Sequence, residues 1–314
     1  MVARHRISGA HPIVISIACG YDGVNTVVFE GIIVKQNLRV ANNVGPILEV
    51  ECKDKAIKMT VGRNSAGFAN KKDSDVISQL ISDAGLSAQV TATDTVIPEL
   101  VQYYASNWDF MLSRAEVNGL LVSTQNGTVH VFNPTAQTAS VMTLTYGDEG
   151  FFAFNADLNA MTQLPQVTAS AWDFQNQQLI SAQAANTLAG PGNLSSKTLS
   201  GVLGLSTFTL QTSGAESSAE LTSWAKAQML KSELAKIIGD VRIQGTAVIF
   251  PGMYITLSGL GDRFDGDHFV SAIRHELSEG NWICEIDIGL SPEWFVQQHP
   301  VEAPNAAGLI PAMQ

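Results

Sequence analysis

The apolar and polar positions of residues 103–119 keep a helical rhythm. Trp108, Met111, Leu112 and Ala115 recur at i, i+3, i+4 and i+7, one stripe of a single helix. Ser106, three residues ahead of Asp109, has capping-box spacing, in which a hydroxyl and a carboxylate take up backbone N–H groups unpaired at a helix start. Gly119 stands where a left-handed residue ends a helix. The rhythm then changes to alternation. Residues 120–124 and 128–132 flank Asn126-Gly127, the strongest short-range signal for a two-residue hairpin.

Period-two patterning dominates both ends of the chain. Residues 11–61 read as all-β: strands over 13–19, 26–40 and 47–53, a turn at Tyr21-Asp22-Gly23, and Gly31 as a bulge or point of close approach. Residues 73–84 predict a helix with Val76, Ile77, Leu80, Ile81 and Ala84 buried, Asp73 or Ser74 as its cap and Gly85 as its stop. A short strand over 90–96 and a turn at Pro98 complete a small α+β unit over roughly 62–135. Strands follow over 141–146, 151–158 and 167–173. Residues 175–216, rich in Gln, Asn, Ser, Gly and Ala around Gly190-Pro191-Gly192, read as an insertion or exposed loop.

Ser217 and Glu220 then open the longest helix, predicted to run to about Ile238. Its stripe of Leu221, Trp224, Ala227, Leu230, Leu234 and Ile237/Ile238 suits either a seam between copies or a face buried on its own sheet. Residues 241–290 predict a four-stranded meander, with Trp282, Cys284, Ile286 and Ile288 on one face and Glu285 and Asp287 on the other. Pro300, Pro304 and Pro311 mark an extended connector.

Composition narrows the class. A chain of 314 residues, 45% apolar and 15% charged, is globular and long enough for two to four cores. No apolar run reaches the ~20 residues of a membrane helix. The basic Arg4-His5-Arg6 ahead of Ile13, Ile15 and Ile17 resembles an export signal only superficially, because the apolar part alternates as a strand does. Cys19, Cys52 and Cys284 have neither metal nor disulfide spacing, which suits folding in a reducing compartment. The net charge of −11 disfavours nucleic acid as a partner. It is also uneven: residues 31–72 hold eight basic and three acidic side chains (+5), residues 251–302 two basic and nine acidic (−7). One face meeting an oppositely charged neighbour, such as another copy, would use that asymmetry.

The helix–hairpin stretch resembles the central motif of the VgrG and phage late-control-protein family, hubs of contractile injection machines. Trp108, Asp109, Phe110, Arg114, Glu116, Asn118 and Gly119 match that motif in turn. A second match runs from Gly261-Asp262-Arg263-Phe264 through Arg274-His275-Glu276 and Trp282 to Pro292-Glu293-Trp294. The resemblance implies a multidomain α+β fold: two tube-like β-barrel domains with small α/β domains inserted, here without the OB-fold and β-helical spike. On that basis residues 1–61 are a first barrel lacking some N-terminal strands, 62–165 a small α+β domain, and 166–174 with 239–295 a second barrel. Residues 175–238 form an insertion and 296–314 a connector toward a spike. The implied function is a homotrimeric adaptor between a sixfold inner tube and a threefold spike, with tube, spike, spike-tip and baseplate proteins as partners and no cofactor. Such a chain is made in the bacterial cytoplasm and joins a particle, of the extracellular type by resemblance. Glu285 and Asp287 are the candidate tube-facing residues.

Chemistry offers little against this. Asp262, Asp265, Asp267 and His268 lack the spacing of a calcium loop and read as a polar hairpin loop. His275-Glu276 lacks a second zinc-motif histidine, and no nucleophile elbow or phosphate loop is present. A tail-associated cell-wall hydrolase is the alternative, with the acidic loop 262–267 as its only candidate site.

Overall fold

The computed structural model describes residues 4–5, 13–41, 45–185, 187–214, 216–278 and 280–299. Arg6 of the export-like start, the turn residue Glu279 and the proline-bearing tail from Pro300 lie outside the described residues.

The N-terminal strands β1 (Arg4–His5), β2 (Val14–Tyr21), β3 (Val24–Ala41) and β4 (Gly45–Lys53) form one antiparallel sheet in chain order. Asp22 and Gly23 both take positive φ, as a tight hairpin turn requires. Gly31 is a site of close approach: a Cβ there would lie 2.4 Å from the Lys53 carbonyl oxygen. The eighteen-residue β3 pairs with β2 through its first half and with β4 through its second. Its distal half and β4 therefore project as a two-stranded arm. Val34, Leu38, Val40, Ile47, Leu48 and Val50 on that arm are all exposed.

A 3-10 turn over Lys55–Thr60 leads into β5 (Asn64–Lys72), α1 (Asp73–Asp83), β6 (Ser87–Val90), β7 (Val96–Ala105), α2 (Asn107–Val117), β8 (Leu121–Gln125) and β9 (Thr128–Phe132). One core joins them, with Met59, Val76, Ile77, Ile81, Met111, Ala115 and Val129 at its centre. Three local expectations change here. The cap of α1 is Lys72, without a side-chain bond, because Asp73 is engaged elsewhere and the Ser74 N–H donates to Thr93 Oγ1. The short strand is β6, parallel to β9, and comes earlier than predicted. Pro98 lies within β7, facing Asn70 in a two-stranded sheet where its missing N–H is tolerated, and Asn70 adopts positive φ.

The remaining elements are β10 (Ser140–Thr145), β11 (Phe151–Leu158), β12 (Gln166–Asp173), β13 (Gln178–Ala185), α3 (Ser196–Ser200), β14 (Phe208–Thr212), α4 (Ser218–Leu234), β15 (Ile237–Gln244), β16 (Tyr254–Ser258), β17 (Gly266–Ser278), β18 (Asn281–Ile288) and α5 (Phe295–Gln298). Only three strands of the predicted meander follow in order, β16-β17-β18; β15, expected beside β16, crosses over to pair with β18 instead, and β10 and β11 extend the set into a curled six-stranded sheet. Its inner face carries Trp282, Cys284, Ile286 and Ile288, which share a core with Cys19, Ile17 and Val28 of the N-terminal sheet. Tyr21 stacks on Trp282 at 5.5 Å and donates to the Gly245 carbonyl, fixing one sheet on the other.

The strand at 166–173, expected to belong with the second barrel, pairs instead with β13 and β14. The stretch read as a loop thus supplies two strands, and α4 covers this three-stranded sheet through Leu221, Ala225 and Met229. The capping box of α4 forms with both of its bonds. The helix stops at Leu234 rather than near Ile238, because Gly239 is drawn into β15 against β11. A Cβ on Gly239 would lie 2.1 Å from the Asn155 carbonyl oxygen. Gly239→Ala is therefore expected to destabilise the chain by about 1–3 kcal/mol, the usual cost of overpacking, read as a lower midpoint in chemical denaturation.

Candidate functional site

The motif residues divide between the two ends of α2, with Arg114, Glu116, Asn118 and Gly119 together at its C-terminal turn. Only half of its predicted capping box forms: the Asp109 N–H donates to Ser106 Oγ, while the Asp109 carboxylate sits in the first turn, complementing the helix dipole. Phe110 is buried and stacks on Phe68, with Trp108 half-buried beside the same core. The inward face is thus centred on Phe110, Met111 and Ala115, a rotation from the predicted stripe.

Arg114 grips Asp73 of α1 through two parallel bonds of 2.6 and 2.9 Å, and Asn118 donates to the same carboxylate at 2.7 Å. With the Asp73 side chain 5% exposed, this is a charge-assisted pair with its lone pairs satisfied. Glu116 reaches the other way. It binds Lys231 of α4 at 2.7 Å and accepts the Phe295 N–H that begins α5. Lys231 also donates to the Glu293 carbonyl and lies over the Trp294 ring, whose Nε1–H donates to Gln228 Oε1 at 2.6 Å. Gly119, at φ +68°, lets the chain turn against Ala227. Arg114, Gly119 and Trp294 therefore lie at one junction, and Pro292 lies beside it on the wall of a cavity of about 530 Å³, whereas Trp108, Asp109 and Phe110 sit in the first turn of α2, away from it. Trp282 is elsewhere, under Tyr21 in the six-stranded sheet.

Glu285 and Asp287 do face away from the core, on the outer side of that sheet. There Arg242 and Arg274 flank Glu285, while Asp287 lies directly opposite Asp240. Partial burial and the neighbouring Glu285 push the Asp287 carboxyl above its usual range, against the pull of Arg274.

The acidic loop is already occupied with its own backbone. Asp265 accepts from the N–H groups of Gly259 and Leu260, Asp267 accepts from Thr256, and buried His268 bonds the Phe264 carbonyl. Among the described residues no group of three or more metal-type side chains converges. His275 turns inward to Trp282 and Cys284, and Glu276 outward to Arg242, as strand alternation requires.

Sequence reasoning missed a second buried polar cluster, beneath the Gly190-Pro191-Gly192 turn. Lys236, almost wholly buried, donates to the carbonyls of Ala189 and Leu194; Glu233 accepts the N–H groups of Thr187 and Leu188. Burial pushes Glu233 up and holds Lys236 and His268 down, and it raises the Tyr254 hydroxyl to about 12. The only signal for it was a Glu and a Lys three apart at the end of the long predicted helix.

This architecture is the fold of phage-tail-type proteins. It is similar to the tail protein from Neisseria meningitidis MC58 (14% identity over 90% of this chain and 89% of that one, TM-score 0.63). It is similar also to the 43 kDa tail protein of prophage MuSo2 from Shewanella oneidensis (10% identity, 91% and 85% covered, TM-score 0.65). The E. coli c3393 protein, a component of the type VI secretion system, aligns with a TM-score of 0.54 at 10% identity, covering 90% of this chain and 70% of its own. At such identities the likeness is one of fold. A comparison with curated proteins gives no match. The family described as the Alg8 N-terminal domain matches residues 10–279, and the chain belongs to it.

Two outcomes check the geometry of these sites. Arg114→Met leaves the Asp73 carboxylate buried with Asn118 alone, and stability should fall by about 2–4 kcal/mol, as when one partner of a buried pair is removed. Asp287 has a folded-state pKa above its unfolded one, so its charge opposes folding above the ordinary aspartate value of about 3.9. Asp287→Asn should raise the melting temperature at pH 7, and the gain should vanish as the pH falls below that value.

Proposed function

We propose that this chain is a structural hub component of a contractile, phage-tail-like injection particle. Three copies form a ring that joins the sixfold inner tube to a threefold spike, and the chain carries no catalytic activity. The N-terminal sheet and the six-stranded sheet serve as two tube-like β units per copy, so that three copies present six. Residues 62–132 and the layer of β12–β14 with α4 are the inserted units outside that ring, since β10 and β11 of the expected 62–165 domain belong to the six-stranded sheet, and the tail beyond α5 leads toward the spike. Sheath contraction would then drive tube, hub and spike forward as one body.

The observation that carries this reading is the apolar arm of β3 and β4. A two-stranded ribbon alone in water is marginal at best, and an exposed apolar strand edge invites pairing with another chain. Leu38, Val40 and Leu48 are 64%, 71% and 58% exposed on an arm that nothing in its own chain covers among the described residues. A second copy of the chain is its natural cover in a closed ring. The outer face bearing Glu285 and Asp287, with parts of 26–40 and 268–290, meets the first tube ring in this reading. The hydrolase alternative is not favoured, because Asp265 and Asp267 of its candidate loop are taken up by hydrogen bonds within the chain.

Light scattering on the chain tests this directly. A trimer is expected, and a stable monomer would sink the adaptor reading. Leu38→Lys with Leu48→Glu, which sets opposite charges across the strand pair, should give a monomer whose melting temperature is unchanged at low protein concentration. Reversing the charges at 285 and 287 should block tube assembly while leaving the trimer intact.

A further inference from the structure

The cavity of about 530 Å³ beside the α2 junction is walled by two kinds of surface. Phe208 and Leu210 of β14, Leu221 and Trp224 of α4 and Trp294 give it apolar and aromatic faces. Asp73, Glu216, Glu220 and Glu293 bring carboxyl groups to the same wall. Its volume lies within the range of pockets that enclose a ligand or a few side chains.

The charges on this wall are unbalanced. Arg114 is the one cationic side chain on it among the described residues, and both of its bonds to Asp73 are made within the protein. Glu220 caps α4 through Ser217, and Glu293 takes only a neutral partner, Gln298. Glu216 faces Glu220, Arg114 and Asp73. Burial first, then the charge of Glu220, push its carboxyl above the usual range. The wall is also fixed in place, since Trp294 is tied to Gln228 and Asp73 to Asn118. Aromatic faces beside uncompensated carboxylates are the surroundings in which a cation is held both by charge and over a ring. Thr95, Thr212, Ser223 and Gln297 add neutral hydrogen-bonding groups suited to a main chain.

We propose that this cavity binds a segment of a partner protein that presents an arginine or lysine next to an apolar side chain. The inference is independent of the hub reading, since it rests on the cavity and not on the arm or the outer sheet face. The apolar side chain fills the space between Phe208, Leu210 and Trp224. The cation lies toward Glu216 and Glu220, and pairing there favours the ionised form of Glu216.

The test is calorimetric titration of the full chain with two capped peptides, acetyl-Leu-Arg-Leu-amide and acetyl-Leu-Glu-Leu-amide. The arginine peptide should bind saturably, at least tenfold more tightly than the glutamate peptide. Its affinity should rise as the pH rises above the ordinary glutamate value of about 4.3. Glu216→Gln should weaken it severalfold, and Ser223→Phe, which narrows the cavity from a half-buried helix position, should abolish it. Equal binding of the two peptides, or no saturable binding up to millimolar concentration, overturns the proposal. Binding that survives both substitutions places the peptide elsewhere and overturns it as well. None of these outcomes depends on whether the chain is a trimer.

Discussion

The ion pair between Arg114 and Asp73 is the constraint on which the junction depends. A buried carboxylate is costly unless its lone pairs are met, and Arg114 and Asn118 meet them from the last turn of α2. That fixes the rotation of α2 about its axis. Glu116, on the opposite flank, then falls beside Lys231 and the start of α5. One helical turn so places the 56–131 core, the long helix and the segment after β18 with respect to each other. The bonds are mostly shielded from water, which sets them apart from surface pairs of nearly the same length such as Arg39–Glu49, which contribute little.

The two sheets are joined differently, by apolar packing with one polar pin. Cys19, Ile17 and Val28 enter the core of the six-stranded sheet, and Tyr21 lies flat on Trp282 with its hydroxyl on a backbone carbonyl. Gly245 makes room for that stack, since a Cβ there would meet the Trp282 ring at 2.1 Å. The free thiols of Cys19 and Cys284 act here as small apolar groups, and burial holds both above the ordinary thiol pKa.

What the sequence made legible was local. The Asn126-Gly127 hairpin, the Ser217–Glu220 cap and the inward row of Trp282, Cys284, Ile286 and Ile288 each follow from a few adjacent residues, and each is present. What it hid was settled by partners distant in sequence. Gln178–Ala185 has the composition of a loop, with alanine and glutamine where strands favour branched and aromatic residues, yet it becomes a strand because β12 and α4 lie on either side of it. Asp73 has the look of a helix cap and is diverted to Arg114, forty-one residues on. Of the candidate site, Arg114 and Trp294 could be named in advance. The cavity between them could not, because Phe208 and Leu210 reach it only through a strand the composition concealed.

Two features of the folded chain work against it in isolation. The arm sets large apolar side chains in water on both strands, and the outer face of the sheet opposes Asp240 to Asp287 across a strand pair, an arrangement that destabilises a sheet. Neither serves the core, and either could be removed without disturbing a buried contact. A chain that folds well elsewhere, with satisfied caps and a tightly bonded junction, does not retain such costs through poor packing. They have the character of surfaces whose favourable partners are supplied by assembly. The apolar arm calls for another apolar surface, and the aspartate row for a cationic or hydrogen-bond-donating one. These are different demands, met by different neighbours, and they lie on different elements of the same copy. Under the proposed hub reading, the arm would meet the chain's own copies and the outer sheet face another component, and that reading accounts for this division of surface chemistry.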